Sequence, residues 1–148
     1  MRRPLRVLIS SGPTREPIDP IRYLSNYSTG YMGRQLASAA LARGHQVTVV
    51  SGPVSEPLPD GVCVISVERA AQMRQALRRM APRADVLIMA AAVSDFRASR
   101  VASNGEQAIK ILEAERFDLV ILDYNMPGLN GLETFLKMKE IDPNIVVI

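Results

Sequence analysis

Between positions 10 and 33 the chain concentrates hydroxyl, amide and glycine residues: Ser10, Ser11, Gly12 and Thr14, then Asn26, Ser28, Thr29, Gly30 and Gly33. A second cluster, Ala90, Ala91, Ala92 and Asp95, follows an apolar run. Small residues let backbone N–H groups approach an anion, and the free amides of a helix start favour phosphate. The chemistry suggested is binding of a nucleotide or another phosphate; the alternative is that these residues serve only as tight turns and caps. Neither a GxGxxG nor a Walker sequence occurs. The chain has a single histidine, His45, with no clustered cysteine beside it, so no metal site is expected. Its single cysteine, Cys63, excludes an internal disulfide and reads as a small core residue of an apolar strand. Tyr23, Tyr27 and Tyr31 read as loop packing or as cover for a pocket.

These residues need a scaffold, and the hydrophobic periodicity supplies one. Leu5–Ser10 reads as a buried strand, followed by a polar loop through TREPIDPIRYLSNYSTG. Tyr31–Arg43 is a predicted helix with Met32, Leu36, Ala39 and Ala40 on its apolar side, Thr29 as N-cap and Gly44 as its stop. Strands are predicted over Gln46–Ser51, Val62–Val67 and Asp85–Val93. A helix over Glu68–Met80 turns Met73, Leu77 and Met80 inward and leaves Arg69, Arg74, Arg78 and Arg79 as a solvated basic face. Further on, Ser103 and Glu106 suggest a capping box for a helix with Ala108, Ile111 and Leu112 inside. Phe117–Asp123 reads as a strand, Asn130 caps a last helix facing Leu132, Phe135 and Leu136 inward, and Asn144–Ile148 is a final strand. Apolar strands alternating with amphipathic helices predict an α/β fold: a three-layer, doubly wound parallel sheet in strand order 3-2-1-4-5-6. In such a sheet the ligand crevice lies where strands 1 and 4 diverge, beside the small-residue clusters.

With 148 residues and 47% apolar content, one α/β core is affordable and disorder is excluded. No apolar run reaches the roughly 18 residues of a membrane span, so a soluble cytoplasmic protein without a membrane partner is expected. The net charge of +3 is unevenly spread. Residues 1–100 hold 14 Arg and 7 acids, whereas residues 101–148 hold 4 basic residues and 8 acids. The segments therefore carry +7 and −4. The arginines lack aromatic interleaving, so nucleic acid is not the expected partner.

The stretch SSGPTREPIDPIRYLSNYSTGYMG, with VTVVSGPV and DVLIMAAAVSDFR, resembles the N-terminal part of phosphopantothenoylcysteine synthetase domains. The resemblance covers about residues 5–98 and implies a Rossmann-like domain. It also implies joining of 4′-phosphopantothenate to cysteine with CTP, in some members ATP, through an acyl-cytidylate. It assigns Gly12, Ser28, Thr29, Gly30, Met32 and Gly33 to substrate and nucleotide binding, and Asn26 to the activated acyl intermediate. Ala91, Ala92, Val93 and Asp95 match the nucleotide-side loop. Tyr31 stands where the family commonly carries lysine, and the family's later lysine-rich motif has no counterpart here.

Residues 101–148, with LDYNMPGLNG at their centre, resemble the middle of a bacterial response-regulator receiver domain, in which Asp123 matches the phosphoacceptor. The receiver's acidic pair, later hydroxyl and lysine are not present, so Asp123 is read as a remnant. Two resemblances meeting at the charge break lead to the expectation of an engineered chimera joined at Ala98–Ala102. On this reading residues 1–148 form a single domain, with a synthetase-like segment (1–100) and a receiver-like, flavodoxin-like segment (101–148). Its expected function is that of a folding scaffold without complete native activity, requiring no cofactor and binding CTP or another nucleotide at most weakly. The alternatives are a nucleotide-binding module, a reduced phosphopantothenate–cysteine ligase, and a phosphoacceptor receiver. A monomer or an edge-paired homodimer is expected, because Ile148 leaves a hydrophobic strand edge.

Overall fold

A computed structural model describes residues 3–148. The chain divides into two compact units, one ending at Ala98 and the other spanning Ser99–Ile148.

The first unit is built on a parallel four-stranded sheet of β1 (Arg6–Ser11), β4 (Gln46–Ser51), β5 (Cys63–Ser66) and β6 (Val86–Met89). The strands lie in the order β5-β4-β1-β6, with Ile9 opposite Val49 on one side and Ile88 on the other. Alternation along the central strands sends Val7, Ile9, Val47 and Val49 to one face, where Ala37 and Ala40 of α1 (Tyr31–Ala42) cover them. Leu8 and Val50 point to the other, under Met73, Ala76 and Leu77 of α2 (Ala70–Met80). The result is a three-layer α/β/α sandwich. Leu8, Ile9, Val49, Val50 and Met73 are fully buried, each contributing about 1.5–3 kcal/mol of hydrophobic stabilisation.

Several expectations are corrected here. The buried stripe of α1 is Gly33, Ala37 and Ala40, while Met32 and Ala39 are exposed. Its N-cap is Gly30, in the left-handed region at φ 83°, rather than Thr29, whose hydroxyl accepts from Tyr31 N at 3.3 Å. Gly44 does stop this helix, at φ 75°. Cys63 is exposed, because β5 is an edge strand. The loop after β1 contains an antiparallel hairpin, β2 (Arg15–Pro17) and β3 (Tyr23–Ser25). Its turn is organised by Asp19, whose carboxylate accepts from the amides of Ile21 at 2.8 Å and Arg22 at 2.6 Å. Those bonds and the Arg22 guanidinium hold the Asp19 pKa down at about 2.

In the second unit, α3 (Gly105–Ala114) and α4 (Gly131–Ile141) pack together, and β7 (Leu119–Val120) pairs with β8 (Val146–Val147) in a parallel sheet of its own. The six-strand sheet is thus corrected: order 3-2-1-4 holds for the first four core strands, and the last two pair with each other. Leu112, Met138 and Ile145 form the core of this unit, joined by Phe117, Val120 and Leu122. The buried stripe of α4 runs through Thr134 and Met138, leaving Leu132 and Leu136 exposed, contrary to expectation. The capping box of Asn130 and Glu133 is present, with Glu133 N donating to Asn130 Oδ1 at 2.9 Å. At α3 the cap is Asn104, which accepts from Gln107 N at 2.9 Å, so the expected Ser103–Glu106 box does not form; the Gln107 side chain accepts from Ser103 N at 2.7 Å. Glu106 instead accepts from Leu129 N at 3.1 Å.

Candidate functional site

The site lies beyond the carboxyl ends of β1 and β6. Ser10 fixes the floor: its hydroxyl accepts from the amides of Ala90 at 3.1 Å and Ala91 at 3.2 Å. Ala92 N donates to Gly12 O at 2.9 Å, and Pro13 bridges Ala92, so the two strand ends continue side by side past the regular sheet. Thr14, fully buried, accepts from Ser94 N at 2.9 Å. Its carbonyl accepts from the Ser25 hydroxyl at 2.8 Å, which ties β3 to the same floor.

Asn26 follows directly. Its Nδ2 donates to Val93 O at 2.8 Å and to Asp95 Oδ2 at 3.3 Å. The candidate acyl-handling amide and the candidate nucleotide-side loop, 67 positions apart in the chain, therefore touch. The segment from Asn26 leads into α1, whose first turn has no side-chain cap hydrogen bond. The N–H groups of such a turn, at the positive end of the helix dipole, suit an anion.

Glycine is required where the walls meet. Gly12 and Gly30 both have positive φ, at 76° and 83°, and a Cβ on either would run into Val54. Gly33 lies against Ser11, so α1 starts in contact with the end of β1. The segment after β4 leans on this start: Glu56 N donates to Thr29 O at 3.3 Å and Arg34 Nε to Pro57 O at 2.9 Å. Val54 also borders a cavity of about 720 Å³ that Glu56, Val64, Ser66 and Glu68 help to line. That cavity lies on the β4–β5 side, next to the expected crevice.

The structure thus brings Ser10, Ser11, Gly12, Thr14, Asn26, Gly30, Gly33, Ala90, Ala91, Ala92, Val93 and Asp95 together at one end of the sheet. Ser28 and Thr29 flank them, with Gly30 N reaching Ser28 Oγ at 3.4 Å. Met32 is 62% exposed on the first turn of α1, and Tyr27 is fully exposed, so neither serves as packing. Tyr23 packs instead under the Arg15 guanidinium, 4.7 Å from its ring centre. Sequence reasoning missed Glu16, Ser25 and Ser94; only the hairpin shows what they hold. Asp123 is exposed in the second unit and accepts from Asn125 N at 3.2 Å. Among the described residues no group of three His, Cys, Asp or Glu side chains could hold a metal ion, and no helix is long and apolar enough to cross a membrane.

The model of the DNA/pantothenate metabolism flavoprotein C-terminal domain matches residues 3–121. The chain belongs to that family. The bifunctional coenzyme A biosynthesis protein CoaBC of Escherichia coli K12 is 48% identical over 98 residues, covering 66% of this chain and 24% of that protein. The crystal structure of a CoaBC C-terminal domain is 35% identical with a TM-score of 0.63, covering 81% of this chain and 63% of the other. A flavoprotein of DNA/pantothenate metabolism from Streptococcus pneumoniae is 26% identical with a TM-score of 0.59, over 63% of this chain and 42% of its own. The chain spans about a quarter of the length of the curated relatives it matches.

These findings overturn the chimera. The family match runs through the Ala98–Ala102 segment without a break, and the CoaBC C-terminal fold is shared over most of the chain. The chain is one continuous domain of the CoaBC type with a flavodoxin-like three-layer sheet, and the engineered-scaffold and receiver-fragment descriptions fall with the junction. The charge break that suggested two origins coincides instead with the boundary between two compact units, each with its own core. The expectation of a scaffold without native activity is overturned as well, because the chain's relatives include bifunctional coenzyme A biosynthesis proteins.

Proposed function

We propose that this domain binds CTP, or ATP in its place, and 4′-phosphopantothenate, and that it carries the ligation of the latter to cysteine. The nucleotide triphosphate sits at the first turn of α1, where the N-cap residue Gly30 supplies no side-chain cap and the helix-start N–H groups suit phosphate oxygens. The substrate carboxylate attacks the α-phosphorus, forming the acyl-nucleotide and releasing pyrophosphate. The cysteine amine then attacks the acyl carbon, forming the amide, releasing the nucleoside monophosphate and giving up a proton to solvent. Backbone N–H groups at the helix start stabilise charge developing on phosphorus. Asn26, clamped between Val93 and Asp95, presents its amide to the mixed anhydride.

The contact between Asn26 and Val93 carries this reading, because it unites the two motif segments in one site. The test is incubation of the chain with 4′-phosphopantothenate, cysteine and CTP, and separately with ATP, with product followed by mass. Asn26→Ala is the comparison, alongside nucleotide titration of both proteins. Product that depends on Asn26, with saturable nucleotide binding, is expected. No product above a protein-free control and no saturable binding would overturn the proposal.

A further inference from the structure

Glu16 is a charged residue only 8% exposed, and nothing in the ligation chemistry above uses it. Its Oε1 accepts from Ala70 N at 2.7 Å, at the first residue of α2. Arg15 N donates to Glu68 O at 2.8 Å just before that helix. The hairpin is therefore pegged on one flank to the start of α2. A carboxylate in this position receives a charge-assisted bond from an otherwise unpaired amide and complements the positive end of the helix dipole.

On its other flank the same hairpin holds the site. Arg15 pairs with Ser25 and Glu16 with Leu24, so the strand carrying Glu16 fixes the strand that ends one residue before Asn26. Ser25 Oγ reaches Thr14 O at 2.8 Å, Thr14 Oγ1 holds Ser94 N at 2.9 Å, and Asn26 Nδ2 holds Val93 O at 2.8 Å. The β6 loop and the α2 start are bridged by a ribbon three residues long on each strand. So short a ribbon has little cohesion of its own.

We propose that Glu16 is a positioning residue: by fastening the hairpin to the start of α2, it sets the place of Asn26 against the β6 loop. The proposal rests on the function given above for its effect on turnover, and on geometry alone for its effect on Asn26.

Three substitutions separate the possibilities. Glu16→Ala removes the acceptor. Glu16→Gln retains an oxygen at the same reach and is the conservative rescue. Ala70→Pro removes the donor from the other side while leaving Glu16 untouched. Proline is accommodated at the first helical residue, and Arg69 before it is already extended at φ −104°, ψ 153°. The Asn26 side-chain amide is followed by ¹⁵N-edited NMR and turnover by the ligation assay. In Glu16→Ala and Ala70→Pro the Asn26 signals shift and their solvent exchange accelerates; in Glu16→Gln they stay near wild type. Turnover falls roughly tenfold in the first two, the scale of a lost charge-assisted hydrogen bond. Glu16→Ala combined with Asn26→Ala falls no further than Asn26→Ala alone, because Glu16 acts through Asn26.

Unmoved Asn26 signals, or losses that multiply in the double variant, would overturn the proposal. Should Glu16→Ala not fold, Ala70→Pro decides by the same readouts. A wild-type protein without turnover would remove the ligase reading while leaving the NMR outcome to judge Glu16.

Discussion

Replacing Gly33 with alanine tests whether the approach of α1 to β1 is as close as the structure has it. The added methyl would overlap the Ser11 side chain and lie 3.3 Å from Ser11 Cα. Ser11 is 0% exposed, so there is no open space into which it can swing. Overpacking of this kind costs about 1–3 kcal/mol. Because the overlap involves Cβ and backbone as well as the rotatable hydroxyl, the upper half of that range applies. Helix propensity opposes it, since alanine is favoured over glycine by up to about 1 kcal/mol. The steric effect wins, for a net loss of about 1–2 kcal/mol. At about 2–4 °C per kcal/mol for a chain of this size, the Tm should fall by roughly 2–8 °C. Thermal unfolding by circular dichroism would be measured for wild type, Gly33→Ala, Ser11→Gly and the pair. In the Ser11→Gly background the alanine should cost far less than in wild type, because the Oγ and Cβ overlaps are gone and only the 3.3 Å approach to the Cα of residue 11 opposes the propensity gain. A Gly33→Ala protein as stable as wild type, or one equally destabilised in both backgrounds, refutes the reasoning.

Two further outcomes follow from particular contacts. Asp85 is hydrogen-bonded by the side chain and backbone N–H of Arg6 and by the Arg3 side chain, which hold its carboxyl well below the usual range. A lowered folded pKa means stability that is complete above the unfolded value of about 4 and is lost as pH falls below it. Between about pH 5 and pH 2 the wild-type Tm should therefore move toward that of Asp85→Asn, while protonation of Asp19 lowers both alike; a constant difference across this window counts against the assignment. In the second unit, Asn130→Ala removes the acceptor for Glu133 N and should cost about 1 kcal/mol, read from urea unfolding and from faster amide exchange at Glu133. Unchanged exchange there would show that the cap contributes nothing.

The central strands were legible because Val7, Ile9, Val47 and Val49 belong to apolar runs that only a covered sheet can bury. The site was legible as a location, since Gly12, Gly30 and Ala91 are small where backbones must converge. Its fastening was not. A hairpin with three residues per strand and a proline in β2 leaves no periodicity to detect, so Glu16 and Ser25 look like ordinary loop residues until their partners at Ala70 and Thr14 are seen. The α1 face was misjudged because Gly33 and Ala37 carry little hydrophobic signal yet are buried by close approach, while the larger Met32 is exposed. LDYNMPGLNG misled in another way. A proline turn and an Asn130 cap after a strand, here β7 ending at Val120, meet the same local requirements in any parallel α/β unit, so the motif describes a turn more securely than an ancestry.

The order of strands in the sheet has a consequence for how the chain is made. β1 precedes both strands that flank it in the sheet, β4 about 40 residues later and β6 about 80 residues later. During translation it therefore waits, one edge satisfied when Gln46–Ser51 emerges and the other only when Val86–Met89 does. Until then Val7, Leu8 and Ile9 present an unpaired apolar edge to the ribosome's surroundings. The strand that organises the site is made before both of its neighbours, so the interval between the emergence of β1 and that of β6 is when this sheet is most exposed to aggregation or in need of a chaperone.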